Sequence, residues 1–185
     1  MKQARTLTDA RHAQALKALD HPRDRLMYLL SARAGLRAVE IAGLKWDRID
    51  FDERVLRLKT TKGRKPRAVP IASEVFDALK QYEKHSGRHR SGLVFVNTHS
   101  RPGQPLTPNS IAAWFRDLYT RRLGWDGYSS HSGRRTFCTK VARKITEAGG
   151  SLKDVQALMG HESLQTTSRY IDTDPEAQRR VVDLI

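Results

Sequence analysis

The chain has 185 residues with 38% hydrophobic character and one cysteine, Cys138, which suits a single packed domain and excludes an internal disulfide or a cysteine-rich zinc site. No apolar run reaches the roughly 20 residues of a spanning helix, and MKQARTLTDARHAQ lacks the apolar stretch of a secretory signal, so a cytoplasmic protein is expected. Lysine and arginine number 34 against 20 acidic residues, a formal +14 that favours a polyanionic partner over a membrane, since no long basic amphipathic tail is present.

LTDARHAQALKALD (7–20) has helical spacing, with Thr8 as its N-cap. Pro22 opens a second helix that Gly35 stops, and AVEIAGL is a short third helix closed by Gly43 and anchored by Trp46. RVLRL (54–58) and RAVPI (67–71) flank the turn-rich TTKGRKP and predict a hairpin with a basic tip. SEVFDALKQYEKH is predicted as a helix capped by Ser73, and GLVFVN as a third strand. His85 and His89 are placed in a Gly/Ser-containing loop as solvated side chains. After the loop THSRPGQPLTPNS the pattern is helical again, through NSIAAWFRDLYTRRL, SGRRTFCTKVARKITEAG, SLKDVQALMG and PEAQRRVVDLI. The fold class is mainly α with a small antiparallel β-sheet (α+β), in one domain over 1–185.

Three segments could carry chemistry. SLKDVQALMGHESLQTTSRY reads as a helix-turn-helix, with Tyr170 nine positions past His161. HSGRRTF puts His131 and Arg134 three apart, on one helix face, where they could hold a phosphate oxygen and exchange a proton. GLRAVEIAGLKW puts Arg37 and Glu40 three apart at a helix start, a geometry suited to a phosphate clamp. Taken alone, each segment is more simply read as solvated surface or ordinary packing.

In order along the chain, GLRAVEIAGLKW, TKGRKPRAVPI, HSGRRTF and GHESLQTTSRY resemble the tyrosine recombinase (phage integrase) family. The resemblance implies that Arg37 and Arg134 bind a scissile phosphate and that Tyr170 attacks it to form a 3′-phosphotyrosyl link. It implies Lys62 as general acid for the 5′-oxygen, chosen over the nearby Lys59 and Lys65. His131 and His161 would donate hydrogen bonds and move protons, and Glu40 would support the first arginine. Many members have histidine where this chain has Arg135. Most also carry an N-terminal helical DNA-clamping domain, for which 185 residues leave no room, so the catalytic domain alone is expected.

The chemistry suits these residue types. Exchanging one phosphodiester for another conserves the bond energy, so no nucleotide cofactor is needed. Two guanidiniums can stabilise the transition-state charge, and no metal or other cofactor is expected. The partner implied is double-stranded DNA, bound by a homotetramer. The apolar tail (Val181, Val182, Leu184, Ile185) would either fold back onto its own domain or, as the resemblance implies, dock in trans. The competing readings are a non-enzymatic helix-turn-helix protein, a type IB topoisomerase-like enzyme and a catalytic domain that binds DNA without cleaving it.

Overall fold

The helix over Pro22–Ala32 (α2) is buried at every position from Leu26 to Ala32, the pattern of a helix enclosed on all sides. The computed structural model describes residues 3–59, 66–87, 90–97, 102–168, 179, 182 and 183. Ahead of α2 lies α1 (Asp9–Lys17), whose Thr8 hydroxyl accepts from Arg11 N at 3.2 Å, the predicted cap. Pro22 occupies the first turn of α2, where its missing N–H costs nothing. A short α3 (Ala38–Ala42) follows, then strands β1 (Ile49–Asp50), β2 (Val55–Leu58) and β3 (Arg67–Pro70).

The strands form an antiparallel sheet in the order β1-β2-β3, with Leu56 opposite Val69 and Leu58 opposite Arg67. β2 and β3 are the predicted hairpin strands; residues 60–65 between them lie outside the described residues. The predicted strand GLVFVN is not one. Leu93 and Val96 make isolated bridges, to Lys45 and Pro105, and the sheet's remaining strand is β1.

Helix α4 (Ser73–Ser86) packs on α2. Its N-cap is Ala72, not Ser73: Ala72 has the extended backbone of a cap (φ −64°, ψ 150°), and Ser73 is already helical. His85 belongs to the last turn of α4 rather than to a loop, and its ring meets His21 edge-on at 4.8 Å. His89 lies outside the described residues. α5 (Pro108–Arg116), capped by Thr107, runs on into π-helical turns over Asp117–Arg122. α6 (Ser132–Lys144) packs on α2, α7 (Leu152–Met159) on α6 and β3, and α8 (Leu164–Ser168) on α7. Of the predicted C-terminal helix only isolated residues are described, with Asp183 N donating to Arg179 O at 3.0 Å. Among the described residues no helix is long and apolar enough to cross a membrane.

The contact between α2 and α6 is close because Gly133 has no side chain. A Cβ there would sit 2.6 Å from Ser31 Oγ and 3.1 Å from Ala32 N. Gly133→Ala is therefore expected to lower stability by about 1–3 kcal/mol, as overpacking does in other cores. An unshifted urea midpoint in the variant would show that the two helices can separate freely.

Candidate active site

The chain leaves α2 through Gly35 and enters α3 at Arg37, which is the extended N-cap residue (φ −79°, ψ 158°). Glu40, one turn on, reaches back to it. Its Oε2 accepts from Arg37 N at 2.8 Å and its Oε1 from Arg37 Nη1 at 3.0 Å. The spacing that suggested a clamp in the sequence is a real pair, and it is largely buried, with the two side chains 16% and 7% exposed.

A second arginine shares the same carboxylate. Arg67 Nη1 and Nη2 donate to Glu40 Oε1 at 2.6 Å and Oε2 at 2.9 Å, a two-pronged grip on both oxygens. Arg67 Nε donates to Leu158 O at 3.0 Å. A third, Arg134, lies 4.0 Å from Glu40 Oε2 and is 5% exposed. It sits in the first turn of α6, and its guanidinium donates to Gly35 O and, at 2.6 Å, to Met159 O. Arg37 Nη2 reaches Gly160 O at 3.4 Å.

Three consecutive carbonyls, Leu158, Met159 and Gly160, are thus each held by a different arginine. They close α7, where helical carbonyls lack internal partners and the helix dipole is negative, so cations are favoured there. Gly160 permits this because it ends the helix in the left-handed region (φ +60°), which aims the following chain into the site.

The charge balance at Glu40 follows. Burial alone would raise its pKa, but the hydrogen bonds and charge of Arg67, followed by the backbone bond and charge of Arg37, outweigh it and hold the pKa at about 2. Among the described residues, three guanidiniums against one carboxylate leave a formal +2. His131, the N-cap residue of α6, is exposed on one side. Desolvation of the rest of the ring lowers its pKa, and the charges of Arg134 and Arg37 act in the same direction.

His161 follows the Gly160 turn and is buried. Its Nδ1 lies 3.0 Å from Oγ1 of Thr167, itself fully buried in α8, and its carbonyl accepts from Gln156 Nε2 at 3.0 Å. A ring nitrogen fixed in this way sets the ring's orientation. The segment has the order helix, glycine turn, helix read from its sequence, as α7, Gly160 and α8, and the end of α7 with its turn is bonded to the three arginines.

Arg37, Glu40, Arg134, Gly160 and His161 are brought together, with His131 close enough for Arg134 and Arg37 to act on its charge. Lys62, Lys65 and Tyr170 lie outside the described residues; Lys59 is exposed at the end of β2. Sequence reasoning missed Arg67, Thr167 and Gln156. Arg67 left a signal, since the alternation in RAVPI that turns Val69 inward places Arg67 on the same face. A charge on a buried face needs a partner. Thr167 and Gln156 left no comparable mark.

Residues 2–177 match the model of the Phage integrase family. Tyrosine recombinase XerC of Xylella fastidiosa (strain M23) is 30% identical over 161 residues, 87% of this chain and 52% of that protein. Tyrosine recombinase XerA of Pyrococcus horikoshii is 26% identical over 179 residues, 97% of this chain and 60% of that one. The chain thus spans about half the length of the XerC relatives it matches. Among solved structures, the XerA recombinase crystal structure superposes with a TM-score of 0.78 at 24% identity, covering 100% of this chain and 66% of that chain. The Tn1549 transposon integrase, solved in complex with transposon right end DNA, gives 0.81 at 20% identity, covering 99% and 66%. The mycobacterium phage Brujita integrase gives 0.68 at 29% identity, covering 97% and 56%. With a family match from end to end of the described fold and the arginine cluster in place, this chain belongs to the phage integrase family.

Proposed function

We propose that this chain is the strand-transfer unit of a site-specific DNA recombinase, cutting and rejoining double-stranded DNA through a 3′-phosphotyrosyl intermediate. The observation that carries the reading is the convergence of Arg37, Arg134, His131 and the Gly160–His161 turn, from three distant parts of the sequence, on one site of net positive charge. A phosphodiester is the anion that such a site suits, and the chain's +14 supplies the long-range attraction.

The roles divide by chemistry. Arg37 and Arg134 hold the non-bridging oxygens and stabilise the charge that grows in the transition state, because their positions are fixed before substrate arrives. Tyr170 attacks phosphorus and loses its proton; the 3′ phosphate becomes bonded to its oxygen and the 5′-oxygen leaves. Lys62 protonates that oxygen. His131 is biased toward the neutral form by partial burial and by the charges of Arg134 and Arg37, and an arriving phosphate counters those two charges, so it can take and return a proton during the reaction. His161, its ring oriented by Thr167, donates a hydrogen bond to the phosphate. Thr167, which orients the histidine from α8, lies three residues before Tyr170 in the sequence. The relatives named recombinase and the DNA-bound integrase support this reading over a non-enzymatic helix-turn-helix protein. A cytoplasmic place of action, in a bacterium or on phage DNA, accords with it.

The direct test uses nicked duplexes carrying candidate sites, which trap the covalent intermediate. The wild type is expected to form a denaturation-resistant protein–DNA band, unchanged by EDTA. Tyr170→Phe should lose it while still binding the duplex, and Arg37→Ala and Arg134→Ala should each slow it by about 10²-fold or more. An undiminished band from Tyr170→Phe removes the nucleophile assignment.

The tail belongs to the same proposal. Val182 is 68% exposed and stands among the apolar residues 181, 184 and 185, a sequence suited to docking in trans within a DNA-bound tetramer. Deleting residues 176–185 is expected to spare folding and duplex binding and to impair recombination between two sites. Normal recombination by the truncated chain, or its failure to fold, would contradict trans docking.

A further inference from the structure

We propose that Arg67 is a positioning residue of this site: its guanidinium locks the Glu40 carboxylate, and through it sets the two phosphate-binding arginines in place. The proposal rests on the strand-transfer reading for its consequence, but not for its geometry.

Arg67 differs from Arg37 and Arg134 in how it is held. Both of its terminal nitrogens are on the two oxygens of Glu40, at 2.6 and 2.9 Å, and its Nε is on Leu158 O at 3.0 Å. Its side chain is 10% exposed. With each of its three nitrogens on a protein oxygen, this cation is poorly placed to bind a phosphate itself. It does what a carboxylate in this environment requires. Glu40 faces Arg37 from its own helix, Arg67 from β3 and Arg134 from α6. Arg37 alone reaches both oxygens, through its backbone N–H and Nη1, but that contact ties the carboxylate only to the start of its own helix and leaves the pair free to move together. The two-pronged contact from β3 removes that freedom, because a planar fork fits only one carboxylate orientation.

Stability alone is a poor account of the pair. A buried ion pair gives up much of its attraction in desolvation, and apolar replacements are often as stable. The pair's distinctive effect is geometric. Arg67 joins β3, which follows directly on residues 60–65, to α3 through Glu40 and to the end of α7 through Leu158. The strand leading from the Lys62 segment, the helix of Arg37 and the turn before His161 are therefore fixed to one side chain. A displacement of any of the three disturbs the others.

The test compares Arg67→Lys and Arg67→Gln with the wild type. Lysine keeps the charge without the fork; glutamine keeps a donor without the charge. Both should bind duplex DNA within about threefold of the wild type, whereas the single-turnover rate of adduct formation, measured on folded protein, should fall by about tenfold or more. In the free protein, the side-chain Nε–Hε resonances of Arg37 and Arg134 should shift or broaden in both variants. Adduct formation within twofold of the wild type in either folded variant overturns the proposal. So does a loss of rate that tracks only a loss of folded protein in thermal melts. If the wild type itself forms no adduct, the strand-transfer reading fails on its own; the arginine resonances still decide, and unchanged signals in Arg67→Lys overturn the positioning role.

Discussion

One carboxylate makes this site possible. Arg37, Arg67 and Arg134 come from three separate elements, and three guanidiniums at such close range would repel each other without an anion among them. Glu40 is that anion. The second restraint is the end of α7, whose last carbonyls, at Leu158, Met159 and Gly160, each take one N–H from one of the same three arginines. Every cation in the cluster is therefore held between the carboxylate and a helix terminus. The residual positive charge is what a phosphodiester would meet, already oriented. Preorganisation of this kind is what lets fixed charges lower a barrier without reorganising during reaction.

The fold exists around this constraint. α2 packs against α4 and α6, and Gly133 brings α6 against α2 closely enough for Arg134 to reach Gly35 O at the turn that ends α2. The sheet supplies Arg67 from its inward face. Linkage gives the pH dependence: Glu40 has a folded pKa of about 2 against an ordinary 4.5, so its ionised form favours the folded state. This contribution, on the order of 3 kcal/mol, is complete above about pH 4.5 and is lost as the pH falls toward 2. Acid should loosen the arginine cluster before it affects the apolar core.

Much of this was legible in the sequence, for identifiable reasons. Helix starts at Thr8 and Pro22 and the glycine turn at Gly160 are local backbone chemistry, and the structure has each of them. The pairs Arg37–Glu40 and His131–Arg134 were visible because helical neighbours three apart share a face. What local pattern could not reveal is what depends on distant partners. GLVFVN has the composition of a strand, but among the described residues its ladder contacts are isolated bridges to Lys45 and Pro105, and the sheet's third strand is Ile49–Asp50. Ser73 has the chemistry of a cap, yet the backbone turns one residue earlier. Arg67 looked like one more cation in a basic hairpin; its meaning lies 27 residues back, at Glu40. Thr167 acquires its role only from where the His161 ring falls.

The central claim, that the Glu40 carboxylate is held ionised by the guanidiniums around it, can be measured directly. Carbon-13 side-chain carboxyl shifts of Glu40 can be followed by NMR in folded protein as the pH is lowered. The account predicts that Glu40 stays ionised through pH 3.5, with a midpoint near 2 or lost to unfolding before it is reached. A midpoint between pH 4 and 5, in the range of ordinary glutamates, would contradict it.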